Sequence, residues 1–339
     1  MDKPRKQEQE RASGEVTEVA PGILRTQLPI DMPGLGHVNM YLIEDGNGVA
    51  VVDPGIPGEE SWAAVNERLA QAGIPLDRVH TIVVTHSHPD HFGNAMRLVE
   101  ATGADLITHA AFRWWDSDCD HIDDVAEDDL IFFDWSSETT PWGGQGYGAG
   151  AMRKRFQSEG VWMDPQPTKR LRDGETIRLG GRDVFAVYTP GHTIDHLCLH
   201  DPEAGVLLSG DHVLPTITPH ISGTSNGRDP LSQFYASLDR TASLEGIEMV
   251  LPAHGHPFAD LAGRCEDIKD HHRERLQRLR GICRSLGPAT VMEIARHLFQ
   301  ERNWGPMAES ETYAHLEHLR LAGEAERIEK DGSFVYSLL

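Results

Sequence analysis

The chain has 339 residues, of which 39% are hydrophobic and 25% charged, a globular composition that excludes disordered and fibrous proteins. Its 31 Lys+Arg against 53 Asp+Glu give a net charge of -22, which repels phosphate backbones and disfavours nucleic-acid binding. No run approaches the roughly 20 apolar residues of a membrane span. The amino terminus lacks an apolar signal segment and the four cysteines form no CxxC, so we expect a cytoplasmic protein with residues 1–15 as a frayed polar tail.

The first half of the chain alternates between predicted strands and helices. Residues 16–55 read as short strands with a hairpin turn near Asp45–Gly48, and residues 59–72 have helical spacing that ends at Gly73. A buried strand at 79–85 leads into a polar turn, a short helix and a strand at 105–109. Further strands are predicted within 175–191, 196–201, 204–211 and 248–255.

Residues 112–168 form a long segment without clear periodicity, which is typical of a lid or a disordered loop. The acidic run 116–129 is interpreted as solvated surface. The Trp/Gly-rich stretch 135–150 fits either a substrate lid or packing against a partner subunit. We therefore predict a lid-like insertion within a domain spanning 16–260.

Residues 261–339 have a different pattern. Three helices followed by a hairpin that turns on Asp331-Gly332 are typical of a small winged-helix domain. DNA-binding winged helices need clustered Lys/Arg, whereas this region has 12 basic and 13 acidic residues, which leaves -21 on residues 1–260. We expect a module that packs on the first domain or builds a homodimer.

The strongest motif is His86-Ser87-His88-Pro89-Asp90-His91, directly after the strand at 79–85. Residues i and i+2 of an extended segment point the same way, so His86 and His88 can bind one metal ion. Asp90 and His91 lie where the chain turns into a helix and can face a second ion. Gly93 is expected to give this turn backbone freedom.

Three further candidates also lie at strand ends: His192, Asp211 and His254. The simplest assignment puts His86, His88 and His192 on one ion and Asp90, His91 and His254 on the other, with Asp211 as the bridge. Imidazole and carboxylate ligands suit two Zn²⁺ ions, with Fe or Mn as alternatives. His220 is a candidate pocket residue, while His109, His200, His256 and His271-His272 are expected to be ordinary surface residues.

The ordered series HxHxDH, GHT, GD and AHG, together with VNMYLI and VVDPG upstream, resembles the metallo-β-lactamase superfamily over residues 16–260. The resemblance implies an α/β fold, an αββα sandwich, and places Asp53 beside the metals. Two ions would lower the pKa of a shared water to about 7 and so create a hydroxide nucleophile. Asp90 would then orient the nucleophile or relay a proton, and His196 would either support a ligand or stabilise an oxyanion.

The combination with a winged helix resembles one branch of that superfamily, which includes β-lactamase-like hydrolases and a single-strand endoribonuclease. Glyoxalase II, lactonases and polyketide thioesterases share the metal motif. From this resemblance we expect a hydrolase of a small-molecule thioester, ester or lactone. The alternatives are an endoribonuclease using the same site, and a non-catalytic metal-bearing regulator.

Overall fold

The computed structural model describes residues 6–32, 34–113, 139–144, 154, 156–224 and 227–339. A seven-stranded sheet holds its strands in chain order: β1 (Val16–Ala20), β2 (Ile23–Met32), β3 (Leu35–Asp45), β4 (Gly48–Val52), β5 (Val79–Val83), β6 (Asp105–His109) and β7 (Lys169–Leu171). The first four strands pair antiparallel, and β4 to β7 pair parallel. Asp45 pairs with Gly48 across the β3–β4 turn, so the predicted hairpin is confirmed.

A five-stranded sheet has the order β12-β11-β10-β9-β8. Its strands are β8 (Thr176–Leu179), β9 (Arg182–Tyr188), β10 (Leu197–Asp201), β11 (Val206–Gly210) and β12 (Met249–Pro252). Only β11 and β12 pair parallel. The carboxyl ends of β4, β5, β11 and β12 are therefore available for side chains from both sheets to meet.

The helices are α1 (Glu59–Gln71), α2 (Pro89–Phe92), α3 (Ala95–Thr102), α4 (Pro230–Ala242), α5 (Leu261–Leu286), α6 (Val291–Leu298) and α7 (Pro306–Leu321). One apolar cluster lies between the two sheets and includes Ile43 and Leu199. A second joins the seven-stranded sheet to α1 and α3, and a third joins the five-stranded sheet to α4 and α5. The αββα layering expected from the resemblance is thus confirmed.

The carboxyl-terminal region contains α5 to α7 and a three-stranded sheet of β13 (Ala289–Thr290), β14 (Ala325–Lys330) and β15 (Ser333–Leu338), in the order β13-β15-β14. The three predicted helices and the terminal hairpin are present, and Asp331 takes the left-handed φ of 51° at the turn. Two residues are too short to give a strand signal, so β13 was not predicted. No described helix combines the length and the apolar character needed to cross a bilayer.

Two sequence expectations are wrong within the described residues. The segment expected to be a frayed tail is ordered from residue 6, because the buried carboxylate of Glu8 accepts hydrogen bonds from the Thr216 and Ile217 amides at 2.8 and 3.0 Å. His109 is buried and stacks on Tyr188 with ring centroids 4.1 Å apart, and His272 is also buried.

The predicted lid-like insertion is only partly described, and the acidic run 116–129 lies outside the described residues. Trp142, from the Trp/Gly-rich stretch, is fully buried and stacks on Tyr313 of α7, with ring centroids 4.6 Å apart. This aromatic residue therefore packs within its own chain. The boundaries of the insertion and of the two domains stay predictions.

Candidate metal centre

All seven predicted ligands follow strand ends. His86, His88, Asp90 and His91 come after β5, and the other three come after β9, β11 and β12: His192, Asp211 and His254. The adjacent carboxyl ends of parallel strands bring the loops from each sheet to one edge. Residues far apart in the chain thereby share one buried site.

Three histidines converge on one point. Nε2 of His86 lies 3.0 Å from Nδ1 of His88, which in turn lies 3.1 Å from Nε2 of His192. Oδ2 of Asp211 is 3.6 Å from Nε2 of His192. These four side chains form one possible ligand group, as the sequence predicts.

The remaining three side chains form a second group beside the first. Oδ2 of Asp90 lies 3.6 Å from Nε2 of His91 and 3.5 Å from Nε2 of His254. Asp211 also reaches this group, since its Oδ1 is 3.3 Å from Nε2 of His254 and its Oδ2 is 3.8 Å from Nε2 of His91. The Asp211 carboxylate thus contacts both groups, in the position predicted for a bridge.

The chemistry of the site fits metal ions. Nε2 of His91, Nε2 of His254 and Oδ1 of Asp211 are buried, and none makes a well-formed hydrogen bond to the described residues. Buried polar atoms are normally paired, so unpaired ligand atoms gathered at one place fit a metal ion as their common partner. Nitrogen and carboxylate donors suit Zn²⁺ and other transition metals.

Hydrogen bonds at the far side of each ring fix its orientation. Nδ1 of His192 is 2.7 Å from the His220 carbonyl, and Nδ1 of His254 is 2.6 Å from the His37 carbonyl. A carbonyl accepts only, so each Nδ1 carries a proton and each Nε2 is the ring atom that faces the site. Such partners are the usual support of metal-binding histidines.

Asp53 supports the second group, in agreement with the resemblance. Its Oδ2 lies 2.9 Å from Nδ1 of His91, and its carboxylate accepts the Thr85 amide at 2.9 Å and the Thr85 hydroxyl at 2.8 Å. Asp53 itself holds a left-handed φ of 54°. A non-glycine residue in this region stores strain, which here aims the carboxylate at His91 and Thr85.

His196 was assigned two alternative roles from the sequence, and its contacts favour the supporting one. Nε2 accepts the backbone amide of Asp211 at 3.0 Å, and Nδ1 lies 2.7 Å from the Thr189 hydroxyl. An imidazole whose Nε2 accepts has no proton there for an oxyanion. His196 therefore holds Asp211 in place, and the oxyanion alternative is not supported.

Comparisons with known proteins identify the family to which this chain belongs. The model of the metallo-β-lactamase superfamily matches residues 33–255. The chain belongs to this superfamily. It is 26% identical to the probable metallo-hydrolase YqjP of Bacillus subtilis over 317 residues, which cover 89% of this chain and 93% of YqjP.

Two crystal structures of similar proteins extend over almost the whole chain. One is a metallo-β-lactamase family protein from Thermus thermophilus, with 30% identity, a TM-score of 0.74, and coverage of 95% of this chain and all of the other. The other is a β-lactamase domain protein from Burkholderia ambifaria, with 30% identity, a TM-score of 0.77, and coverage of 97% and 96%. The chain is thus a hydrolase of the metallo-β-lactamase superfamily, and the similarity includes the carboxyl-terminal region.

Electrostatics separate the two groups of this superfamily site. Burial, reinforced by the neighbouring rings, lowers the pKa of His86 and His88 well below the ordinary value, and burial also lowers that of His192. Burial likewise disfavours the cation of His91, but the carboxylates of Asp90, Asp53 and Asp211 outweigh it and raise its pKa to about 10.

The same balance holds for His254, where the charge of Asp211 overcomes burial and raises the pKa. In the metal-free chain the three-histidine group is therefore neutral and ready to bind, whereas His91 of the second group holds a proton that a metal must displace.

Gly93, in the turn after the HxHxDH motif, does not have the role that the sequence predicted. Gly93 has an ordinary helical φ of -56°, so backbone freedom is not what requires glycine. A Cβ at this position would lie 2.2 Å from both Cδ and N of Pro57, so close packing excludes any side chain. Asn94 fixes the same contact by donating to the Pro54 carbonyl at 3.0 Å and the Ile56 carbonyl at 2.9 Å.

A third group of possible ligands lies in the carboxyl-terminal region: His272, Glu311 and His315. Nδ1 of His272 is paired with Nε2 of His315 at 3.1 Å, while the Arg275 guanidinium contacts Glu311. The arginine already supplies the positive charge for this carboxylate, so we do not assign a metal here.

Several supporting groups were missed by sequence reasoning. The carbonyls of His37 and His220 hold metal-facing rings, but a backbone carbonyl has no signature in the sequence. Thr85 precedes the motif, and its contact with Asp53 depends on a sheet pairing. His220 was named only as a candidate pocket residue, and it is its backbone carbonyl that contacts His192.

Proposed function

We propose that this hydrolase is a dinuclear enzyme that cleaves a small thioester, ester or lactone. The observation that carries the proposal is the convergence of seven side chains into two adjacent groups that share Asp211. The mixed nitrogen and oxygen donors support two Zn²⁺ ions, with Fe or Mn as alternatives. The bound ions would supply Lewis acidity and lower the pKa of a water at the site.

The residues of the chain would divide the remaining work. His86, His88 and His192 would hold one ion as neutral ligands, and Asp211, whose two oxygens reach both groups, would contribute to both sites. Asp90 faces His91 and His254 with Oδ2, and its second oxygen can orient the nucleophile or pass a proton to the leaving group. Because most of these side chains are buried, bulk water would have little access to the site.

Charge supports a small-molecule substrate over nucleic acid. The -21 of residues 1–260 opposes a phosphate backbone. In α5, the four arginines that could make a basic face are used by the protein itself: Arg273 contacts Glu266, Arg275 contacts Glu311, Arg278 donates to the Leu298 carbonyl and Arg280 contacts Glu324. We propose that the winged-helix region packs on the catalytic domain or builds a homodimer.

The test is a substrate panel with metal-loaded protein, together with Asp211→Ala. We expect close to two metal equivalents by elemental analysis, faster turnover of acyl-thioesters or lactones than of labelled single-stranded RNA, and loss of at least one equivalent in Asp211→Ala. Asp183→Ala is the matched control, since this exposed carboxylate pairs with Arg178 in β8 and should keep both ions.

Other outcomes would point elsewhere. Cleavage of RNA alone, abolished by His88→Ala, would replace the small-molecule proposal with an endoribonuclease. Two bound ions without turnover of any substrate would favour a regulator. Metal-free protein after careful preparation would remove the proposed mechanism.

A further inference from the structure

The loop at 212–224 connects two features of the proposed metal site. It begins directly after Asp211, the predicted bridge. Near its end the His220 carbonyl accepts from Nδ1 of His192 at 2.7 Å and so sets the direction of the metal-facing Nε2. The position of this loop therefore determines the position of a ligand.

The first turns of α7 hold the far end of this loop. The hydroxyl of Ser310, fully buried, accepts the Gly223 amide at 3.0 Å and lies 3.1 Å from the Ser222 hydroxyl. Oε2 of Glu311 lies 3.5 Å from Nδ1 of His220, while Oε1 contacts the Arg275 guanidinium from α5. Ser310 and Glu311, which make these contacts with the loop, both belong to the carboxyl-terminal region.

Packing leaves this end of the loop little freedom. A Cβ on Gly223 would lie 2.3 Å from Cδ1 of Tyr313, and Tyr313 is itself stacked on the buried Trp142. Close to Gly223, the side chain of Ile221 is fully buried. The loop cannot move toward α7, and its polar contacts keep it from moving away.

The near end of the loop is also fixed from outside the two sheets. The carboxylate of Glu8 accepts the amides of Thr216 and Ile217, and the Arg264 guanidinium of α5 donates to the carbonyls of Leu214 and Ile217 at 2.7 Å. The amino-terminal segment and the start of α5 thus both hold this loop, which has no regular secondary structure.

We propose that the carboxyl-terminal region completes the metal site, with Ser310 and Glu311 as positioning residues that hold His192 through the loop at 212–224. This inference rests on the proposed metal-binding function. It assigns the region a role in the hydrolytic site beyond packing or dimerisation. Neither residue contacts a predicted ligand, so any effect on the metal must pass through the loop at 212–224, whose nearest contact with a ligand side chain is the His220 carbonyl on His192.

The physical consequence is a change in metal binding. Ligand distances in metal sites are defined to within about 0.2 Å, so a displaced His220 carbonyl that rotates the His192 ring weakens the ion held there. Removing the partner of a metal-binding histidine commonly lowers metal affinity by about 10- to 100-fold. Because Ser310 and Glu311 act one contact further away, we expect the lower end of that range.

The experiment compares the double variant Ser310→Ala/Glu311→Gln with Glu317→Gln in the full chain. Glu317 is a buried carboxylate of the same helix, but its contacts are with Arg320, Arg327 and Tyr336, within the carboxyl-terminal region. Zn²⁺ dissociation constants are measured by competition with a chromophoric chelator. The absorption spectrum of the Co²⁺-loaded protein reports the ligand geometry, and thermal unfolding reports stability.

The proposal expects roughly tenfold weaker Zn²⁺ binding and an altered Co²⁺ spectrum in the double variant, with wild-type values for both in Glu317→Gln at equal or greater loss of stability. Gly223→Ala, which pushes the loop off Tyr313 without removing a polar group, should give the same change. Wild-type affinity and spectrum in both loop variants would overturn the inference while leaving the metal site intact. An effect equal to that of Glu317→Gln would also overturn it, whereas wild-type protein that binds no Zn²⁺ would reject the proposed function itself.

Discussion

At the scale of single residues, the two groups of candidate ligands differ in their protonation in the metal-free chain. His86, His88 and His192 have lowered pKa values because burial disfavours their cations. His91 and His254 have raised pKa values because the carboxylates around them outweigh burial. Before a metal binds, the group of three histidines is thus neutral. In the group of Asp90, His91 and His254, His91 carries a proton.

Among the ligands, metal binding should therefore release protons from the second group and not from the three histidines, in addition to any proton lost by a bound water. With a pKa of about 10, His91 is protonated at pH 7.5 in the metal-free chain, so its proton must leave when an ion binds. Affinity at this group should rise with pH, by about tenfold per pH unit for each proton displaced. Calorimetric Zn²⁺ titrations at pH 7.5 in two buffers of different ionisation enthalpy measure the number released.

Asp53→Asn provides the control for this expectation. Its carboxylate is one of those that raise the pKa of His91, so the variant should release fewer protons. Binding of both ions to the wild-type protein with no proton release would contradict the assignment of charge in the site.

At the scale of elements, the loops that carry the candidate ligands pack so closely that a position such as Gly93 has no room for a larger side chain. The turn from the HxHxDH motif into α3 packs against the loop after β4, with Gly93 on Pro57 and Asn94 across the Pro54 and Ile56 carbonyls. The same approach brings Asp53 to His91. A tight contact between two loops therefore sets the geometry of a ligand and its supporting carboxylate.

Gly93→Ala should separate these loops. The new Cβ would lie 2.2 Å from Pro57 backbone and ring atoms, which cannot move independently. We expect a loss of about 1–3 kcal/mol in the free energy of unfolding and weaker metal binding. Denaturant unfolding and the chelator competition measure the two effects.

Gly281→Ala is the matched control. Gly281 lies inside α5, where a Cβ would meet nothing within 4 Å. Alanine favours a helix over glycine by about 1 kcal/mol, so this variant should be equally or more stable than wild type with unchanged metal binding. If both variants behaved alike, the close approach at Gly93 would not be the constraint described above.

At the scale of the whole molecule, the carboxyl-terminal region is not a separate body with its own core. Phe234 of α4 and Leu207 of β11 belong to the same apolar cluster as Leu276, Tyr313 and Tyr336. The helices of this region therefore share one apolar cluster with α4 and the five-stranded sheet. Stability of the catalytic layers and integrity of the region are coupled through shared burial.

Deleting residues 261–339 should expose this cluster. We expect the shortened chain to aggregate or change its oligomeric state, because an apolar face of this kind associates when uncovered. Size-exclusion chromatography with light scattering measures the change against the full chain. A shortened chain that stays in the wild-type state and retains both metal equivalents would contradict the shared core.

The DNA-binding alternative is tested in the same comparison. The net charge near zero and the arginines already used in protein contacts predict no gel shift that depends on residues 261–339. A shift at moderate salt that disappears on deletion would show that this region binds DNA.

The amino-acid sequence by itself predicted the candidate ligands and their division into two groups, and its resemblance to a known family implied the αββα layers. It could do so because metal ligands are residue types with fixed chemistry, placed at strand ends that strand patterns reveal. The HxHxDH motif and the strand-end positions of His192, Asp211 and His254 marked the candidates, and the order of these motifs resembled a known family.

The tertiary structure alone decided how these ligands are held. The His220 carbonyl on His192, the Glu8 carboxylate on the loop after Asp211 and the contact of Gly93 with Pro57 each join segments distant in sequence. Backbone carbonyls and close approaches leave no residue-type signature, and a polar residue near the terminus looks the same whether exposed or buried. Their roles arise only when packing fixes the distances between atoms.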